Sequence, residues 1–142
     1  MKLYLDTSAL VKLFVVEEYS DLVSDAVRKA VELCTSRLAW AESVTAFARL
    51  KRERRINESD FFRLVESLDR RWPDIRIVEV TATLLMSLPI LVLSHPLRTG
   101  DAIHLASAKA YTAITGDVRC AVFDDVLAKA MRECGLEVLG AG

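Results

Sequence analysis

Four carboxylates stand at points of the sequence where a strand or a helix is predicted to begin or end. Asp6 follows a short apolar run typical of a strand, and Asp124 follows a second one. Asp101 lies at the start of a helix rich in small residues, and Glu42 lies on the narrow polar strip of an apolar helix. Because strand ends and helix starts of a parallel sheet meet at one edge, we expect the four side chains to share a cleft.

A cluster of four carboxylates needs a compensating charge. At ~5 Å and an effective dielectric constant of about 20, each pair of ionised carboxylates costs roughly 3 kcal/mol before screening by salt. Such a cluster either keeps protons, through raised pKa values, or binds a cation. Ligands that are all oxygens select Mg²⁺ or Mn²⁺ over zinc, so a divalent-metal site is one of the two outcomes that the pattern predicts.

Each residue also has a simpler explanation. Asp6 could cap the helix that follows it, a role that Thr7 or Ser8 could also fill. Glu42 faces either solvent or a polar site. His104 lies three residues after Asp101 on roughly the same side of the helix, but hard cations prefer oxygen, which favours a packed or hydrogen-bonded histidine over a metal ligand.

The elements that position these residues alternate along the chain. Strand-like runs alternate with helical patterns, which predicts an α/β fold: a central parallel sheet of about five strands with helices on both faces. We expect residues 1–142 to form a single domain. The predicted strands lie near residues 2–5, 33–35, 76–80, 120–123 and 137–139. The predicted helix caps are Ser20, Asn57, Thr81 and Thr99, and Pro89 is predicted to kink or stop the helix that Thr81 begins.

Composition narrows the classes of protein. Nineteen basic and twenty acidic side chains give a net charge of -1, so nothing global indicates a nucleic-acid coat or a membrane surface. The longest apolar run, residues 84–93, is about half of the ~20 residues that a membrane span requires. Three cysteines without C-x-x-C spacing favour free thiols in a reducing compartment. We therefore expect a soluble cytoplasmic protein, and the 52% hydrophobic content indicates that a partner or a second copy covers some apolar surface.

Several segments, taken in order, resemble a known family. They are residues 5–12 (LDTSALVK), Glu42 in the third predicted helix, residues 97–106 (LRTGDAIHLA), residues 123–128 (FDDVLA) and the closing strand in residues 135–139 (GLEVL). With this set, which spans the chain, the protein resembles PIN-domain ribonucleases, most closely the VapC-type toxins of prokaryotic toxin–antitoxin pairs. One departure is the run through Pro89, which is more apolar than is usual for the group.

The resemblance implies a PIN-like fold and a role for each matching residue. Asp6, Glu42, Asp101 and Asp124 would form the catalytic acidic quartet around one or two Mg²⁺ or Mn²⁺ ions. Ser8 would bind the water or metal shell of the site, and Asp125 is a second choice for the position of Asp124.

The resemblance also implies a function. The protein would be a divalent-metal-dependent endoribonuclease and the toxin of a type II toxin–antitoxin pair, with an RNA substrate, a cognate antitoxin and a homodimeric state. The alternatives are a PIN nuclease of RNA processing and a non-catalytic binding module with the same fold. An aspartyl-phosphate phosphatase is disfavoured, because Ser8 stands where that group has its second aspartate.

A basic run between Arg49 and Arg55 has two interpretations. Such a run is typical of a solvated helix end. It could instead line a groove that holds RNA phosphates, and binding would then be sensitive to salt.

Overall fold

A central sheet of five parallel strands organises the molecule. The computed structural model describes residues 1–139. The sheet has the order β3-β2-β1-β4-β5, and every neighbouring pair is parallel. The strands are β1 (Lys2–Leu5), β2 (Glu32–Ser36), β3 (Arg76–Val78), β4 (Val118–Ala121) and β5 (Glu137–Leu139). Because β1 is the central strand, the residue that follows it, Asp6, lies at the middle of the carboxyl edge of the sheet.

Eight α-helices in the described part of the chain connect and cover these strands. They are α1 (Thr7–Val11), α2 (Ser20–Lys29), α3 (Leu38–Arg52), α4 (Glu58–Arg71), α5 (Ala82–Leu85), α6 (Leu88–Ser94), α7 (Thr99–Thr115) and α8 (Asp125–Glu133), with a 3-10 turn at Trp72–Asp74. None of the helices in residues 1–139 has both the length and the apolar character needed to cross a membrane.

The side chains of β1 divide the interior into two cores. Tyr4 is fully buried in the core formed with α7 and α8, where it lies with Leu105 and Leu127. Leu3 and Leu5 point to the opposite face and pack in the core that contains Phe47 and Leu68, because successive side chains of a strand alternate between faces. Helices therefore cover both faces of the sheet, which confirms the predicted fold class.

Local signals predicted several boundaries correctly. Asn57 caps α4 as predicted, and together with Asp60 it forms a capping box at the start of that helix. Thr81 caps α5 through its side-chain oxygen, which accepts a hydrogen bond from the backbone N–H of Leu84. Gly135 follows the last helix with φ +82°, a conformation that glycine adopts without strain.

Other local predictions were wrong. Pro89 neither kinks nor stops the preceding helix, because α5 already ends at Leu85 and the proline lies in the first turn of a separate helix, α6. A proline is tolerated in a first turn, where its missing N–H has no helical acceptor. Ser20 and Thr99 are the first helical residues of α2 and α7 rather than caps; Tyr19 and Arg98 hold the cap positions and make no capping side-chain bond. Strand β4 begins two residues before the predicted position.

Candidate active site

Asp6 is a buried carboxylate at the end of the central strand. Its side chain caps α1: Oδ1 accepts hydrogen bonds from the backbone N–H of Ala9 (3.0 Å) and from Ser8 Oγ (2.6 Å). Burial raises the pKa of the Asp6 carboxyl, and the charge of Asp124 adds to the rise, whereas His104 and the two hydrogen bonds oppose it. Asp6 thus combines a capping role with a position at the carboxyl edge.

The hydroxyl groups after Asp6 do not cap the helix, contrary to the alternative left open by the sequence. Ser8 Oγ donates to Asp6 and also accepts a hydrogen bond from the backbone N–H of Phe123 (3.2 Å). Ser8 therefore ties the end of β1 to the segment that leads into Asp124. Thr7 points elsewhere, because its hydroxyl donates to Glu42 Oε1 at 2.6 Å.

Glu42 faces a polar site rather than open solvent. Besides the bond from Thr7, its Oε1 lies 2.8 Å from His104 Nε2. Burial alone would raise the pKa of the Glu42 carboxyl, but the hydrogen bonds from His104 and Thr7 outweigh it, and the net shift is downward. Glu42 is therefore held in its ionised form by residues of α1 and α7, although it belongs to α3.

Gly100 lets Glu42 approach the start of α7. A Cβ atom at Gly100 would lie 2.6 Å from Glu42 Oε2 and 3.6 Å from Glu42 Cδ, and the first distance is too short for a van der Waals contact. The sequence alone indicated no role for Gly100, because its partner Glu42 lies 58 positions earlier in the chain.

Asp101 is coupled to the other three carboxylates. It lies in the first turn of α7, where the helix dipole favours a negative charge. Burial nevertheless raises its pKa, and the charges of Asp124, Asp6 and Glu42 raise it further. The structure therefore brings the four predicted residues close enough to perturb one another.

Asp124, rather than Asp125, belongs to this group. Asp124 caps α8, where its Oδ1 accepts hydrogen bonds from the backbone N–H groups of Val126 (2.8 Å) and Leu127 (3.1 Å). Its charge raises the pKa of both Asp6 and Asp101. The charge of Glu18 is the main cause of the raised pKa of Tyr19, and Asp125 adds to that rise rather than to the rise at Asp6 or Asp101. Asp124 is thus the better placed of the two for a shared site.

The donor set fits a hard divalent cation in its chemistry. The groups at the edge are carboxylates, and burial together with their mutual repulsion raises the pKa values of Asp6 and Asp101 by more than the nearby His104 lowers them. Within residues 1–139, no three His, Cys, Asp or Glu side chains already stand in a metal-binding arrangement. The roles of the four carboxylates and of Ser8 in holding a metal remain predictions.

His104 is packed and hydrogen-bonded, as the sequence predicted. His104 is almost fully buried, with 2% of its surface exposed. Its Nδ1 lies 2.7 Å from the Tyr4 hydroxyl, and its Nε2 lies near Glu42 Oε1 and Thr7 Oγ1. With both ring nitrogens in hydrogen bonds, the ring offers no free lone pair to a metal.

Comparison with known proteins identifies the family of this chain. The family model described as PIN domain matches residues 3–129. The chain belongs to the PIN-domain family. Within it, the protein is of the VapC type: it is 37% identical to Ribonuclease VapC45 of Mycobacterium tuberculosis (strain CDC 1551 / Oshkosh) over 107 residues, which cover 75% of this chain and 74% of the relative.

Solved structures of other PIN-fold proteins share the architecture. VapC20 of Mycobacterium tuberculosis, described as a Sarcin-Ricin loop cleaving toxin, aligns with a TM-score of 0.64 and 18% identity over 90% of this chain and 94% of its own. A toxin–antitoxin complex from Klebsiella pneumoniae aligns with a TM-score of 0.63 and 16% identity over 88% of this chain and 89% of the matched chain. At these identities the likeness establishes the fold, and the predicted PIN-like sheet is confirmed.

Proposed function

We propose that this PIN-domain protein is a divalent-metal-dependent endoribonuclease and the toxin of a type II toxin–antitoxin pair. The observation that carries the proposal is the electrostatic coupling of Asp101 to Asp6, Glu42 and Asp124 at the carboxyl edge of the sheet. The name of the VapC45 relative and the description of VapC20 as a toxin that cleaves the Sarcin-Ricin loop support RNA as the substrate.

In this proposal Asp6, Glu42, Asp101 and Asp124 hold Mg²⁺ or Mn²⁺. The bound cation would lower the pKa of a water molecule and stabilise the charge that develops on the phosphate oxygens. Ser8 orients Asp6 through its hydrogen bond to Oδ1 and contributes to the water or metal shell. That water would attack phosphorus and the P–O3′ bond would break; one of the carboxylates would accept the proton of the water, the 3′ oxygen would leave as a hydroxyl after taking a proton from solvent, and the other fragment would carry a 5′ phosphate.

The test is cleavage of a labelled structured RNA by the purified protein in Mg²⁺ or Mn²⁺. We expect EDTA and the Asp101→Asn variant each to abolish cleavage. Cleavage that survives both treatments would contradict a metal-dependent nuclease. If no RNA is cut while the protein still binds RNA or another protein, the non-catalytic module with the same fold is favoured.

The toxin assignment implies a cognate antitoxin, in line with the Klebsiella pneumoniae complex. Copurification of a small second protein from the native source tests it. A nuclease that copurifies with no such protein and does not arrest growth when expressed would instead be a non-toxin PIN nuclease of RNA processing. We place the protein in the cytoplasm, where its RNA substrate is found and where its unpaired cysteines stay reduced.

We also propose that the protein forms a homodimer through α5 and α6. Five large apolar side chains are exposed there: Leu85, Met86, Ile90, Val92 and Leu93. We call this patch the α5–α6 surface. Residues 80–94 contain no Asp, Glu, Lys or Arg. A two-fold interface pairs a surface with itself, so an uncharged apolar surface meets its copy without repulsion. Sedimentation equilibrium measures the dimer directly.

The basic run lies away from the four carboxylates Asp6, Glu42, Asp101 and Asp124. We call the part of the sheet edge where these carboxylates lie the acidic edge. The five basic side chains of the run, Arg49, Lys51, Arg52, Arg54 and Arg55, are all exposed at the end of α3 and just beyond it. At about 1.5 Å of rise per helical residue, Lys51 lies ~14 Å along the helix axis from Glu42. A contact with RNA phosphates would therefore involve nucleotides outside the cleaved bond, and that role stays a prediction.

A further inference from the structure

A buried row of hydrogen bonds connects the central strand to Glu42. Tyr4, on β1, is fully buried and its hydroxyl lies 2.7 Å from His104 Nδ1. On the other side of the ring, His104 Nε2 lies 2.8 Å from Glu42 Oε1 and 3.1 Å from Thr7 Oγ1. One histidine of α7 thus contacts groups from β1, α1 and α3.

The donors and acceptors of this row can be assigned. An ionised carboxylate only accepts hydrogen bonds, so the proton on His104 must be on Nε2. A tyrosine hydroxyl is neutral at neutral pH, so Tyr4 keeps its hydrogen and can donate it to Nδ1. The Tyr4 hydroxyl, both ring nitrogens of His104, the Thr7 hydroxyl and Glu42 Oε1 then each have a partner, as buried polar groups require.

From this geometry we infer that His104 is a positioning residue for Glu42, with Tyr4 holding the imidazole ring in the required orientation and tautomer. The inference rests on the proposed function, because it concerns the metal that Glu42 would bind. Thr7 and His104 both contact Oε1, and Oε2 lies against Gly100. The carboxylate is therefore fixed by one oxygen, and the other remains for the cation.

A purely structural role for His104 would not need this arrangement. A leucine or methionine could fill the same space between helix and sheet without burying two polar nitrogens, which cost free energy unless they are paired. Instead, His104 donates its Nε2 hydrogen to the carboxylate of Glu42, which belongs to α3. Partners of this kind orient ligands and typically change metal affinity by about 10- to 100-fold when removed.

Two conservative variants separate positioning from packing. The amide nitrogen of glutamine in His104→Gln can take the place of Nε2 and donate to Glu42, whereas the shorter asparagine in His104→Asn can reach only the position of Nδ1, near Tyr4. The matched control is His95→Gln, at the other histidine of the chain, which lies 3.2 Å from Glu133 and outside the acidic edge.

The measurement is the affinity of the full chain for Mn²⁺ alone, by calorimetry and by electron paramagnetic resonance of free Mn²⁺. We expect His104→Gln and His95→Gln to bind within about twofold of wild type and His104→Asn to bind about tenfold or more weakly. Thermal melting confirms that each variant is folded. In the wild-type protein, ¹⁵N resonances of the imidazole should report a hydrogen on Nε2 and none on Nδ1.

The outcomes distinguish this inference from the proposed function. Wild-type protein that binds Mn²⁺ while His104→Asn binds equally well would overturn the inference alone, as would a hydrogen found on Nδ1 rather than on Nε2. Equal loss in His104→Gln and His104→Asn, with both folded, would also overturn it, because the donated hydrogen would then not be the deciding feature. Wild-type protein that binds no Mn²⁺ would overturn the proposed function and this inference with it.

Discussion

The acidic edge and the α5–α6 surface reverse the usual distribution of polar and apolar groups. At the edge, Asp6 and His104 are almost fully buried, with 4% and 2% of their surfaces exposed. On the α5–α6 surface, Met86 and Leu93 are exposed to 79% and 89%. Buried charges and exposed large apolar side chains both cost stability.

The two regions offset that cost in different ways. At the acidic edge the compensation comes from the same chain, through Ser8, Thr7 and His104 as hydrogen-bond donors. Burial and mutual repulsion still hold the pKa values of Asp6 and Asp101 above their ordinary values, and the cation that we propose would offset this cost. On the α5–α6 surface the proposed compensation is burial against a second copy of the chain. Catalysis and assembly should therefore respond to separate sets of mutations.

The largest expected effect is at Asp101. Asp101→Asn removes one negative charge from a half-buried position coupled to three other acids. RNA cleavage should fall by about 100-fold or more, beyond the range for residues that only orient a ligand, while sedimentation shows an unchanged oligomeric state. Asp117→Asn, at an exposed turn aspartate, is the control. Loss of the dimer in Asp101→Asn would contradict the independence of the acidic edge and the α5–α6 surface.

A smaller loss of metal affinity is expected when Glu42 is displaced but no carboxylate is removed. Gly100→Ala puts a methyl group 2.6 Å from Glu42 Oε2, so the carboxylate must shift and strain its bonds to Thr7 and His104. Mn²⁺ affinity should fall by about tenfold. Stability should not fall in the same proportion, since alanine favours a helix by up to about 1 kcal/mol over glycine. Thr99→Ala, the neighbouring exposed position, serves as the control, and an unchanged Mn²⁺ affinity in Gly100→Ala would contradict the close approach.

On the apolar surface, Leu93→Lys should weaken the dimer and spare the chemistry. Burying one leucine contributes roughly 1.5 to 3 kcal/mol, and a two-fold interface would bring two lysines together, so the dimer dissociation constant should rise by about tenfold or more. Cleavage per chain should stay near the wild-type value. Val31→Lys, at a residue 78% exposed elsewhere, is the matched control. Equal sedimentation of wild type and both variants would rule out this surface as the dimer contact.

The smallest effect concerns stability without metal. Asp6→Asn should melt at or slightly above the wild-type temperature, because burial and Asp124 raise the pKa of this carboxyl and so oppose its ionised form. Asparagine caps helices about as well as aspartate, so the bonds from Ala9 and Ser8 have an acceptor in the variant. Asp6→Ala, which loses the cap, should melt lower. A clear drop for Asp6→Asn as well would mean that the negative charge of Asp6 stabilises the fold.

The sequence predicted the parts of the molecule that depend on neighbouring residues or on a general rule of parallel-sheet topology. Helix α3 and the capping box at Asn57 follow from local patterns. The approach of Asp6, Asp101 and Asp124 follows from a general rule, because parallel strands send their carboxyl ends to one edge. The local misreading at Pro89 has the same origin, since a proline is compatible with both the end and the first turn of a helix.

Other features required the folded chain. Tyr4 and His104 are 100 positions apart, and His104 and Glu42 are 62 positions apart. No local pattern indicates which of the buried polar groups on different elements will meet, so the sequence predicted a hydrogen-bonded His104 without its partners. Gly100 was missed for the same reason. Asp125 could not be separated from Asp124 by spacing, and only the three-dimensional position of each side chain distinguishes them.

The place of β1 in the sheet has a consequence for the nascent chain. Translation produces β1 before the two strands that flank it: β1 pairs with β2, which begins 30 residues later, and with β4, whose partner for Lys2 is Val118. Contacts so distant in sequence form slowly and only after both partners exist. Asp124 follows β4 directly. A ribosome-bound chain therefore lacks the complete acidic edge until Asp124 has left the exit tunnel.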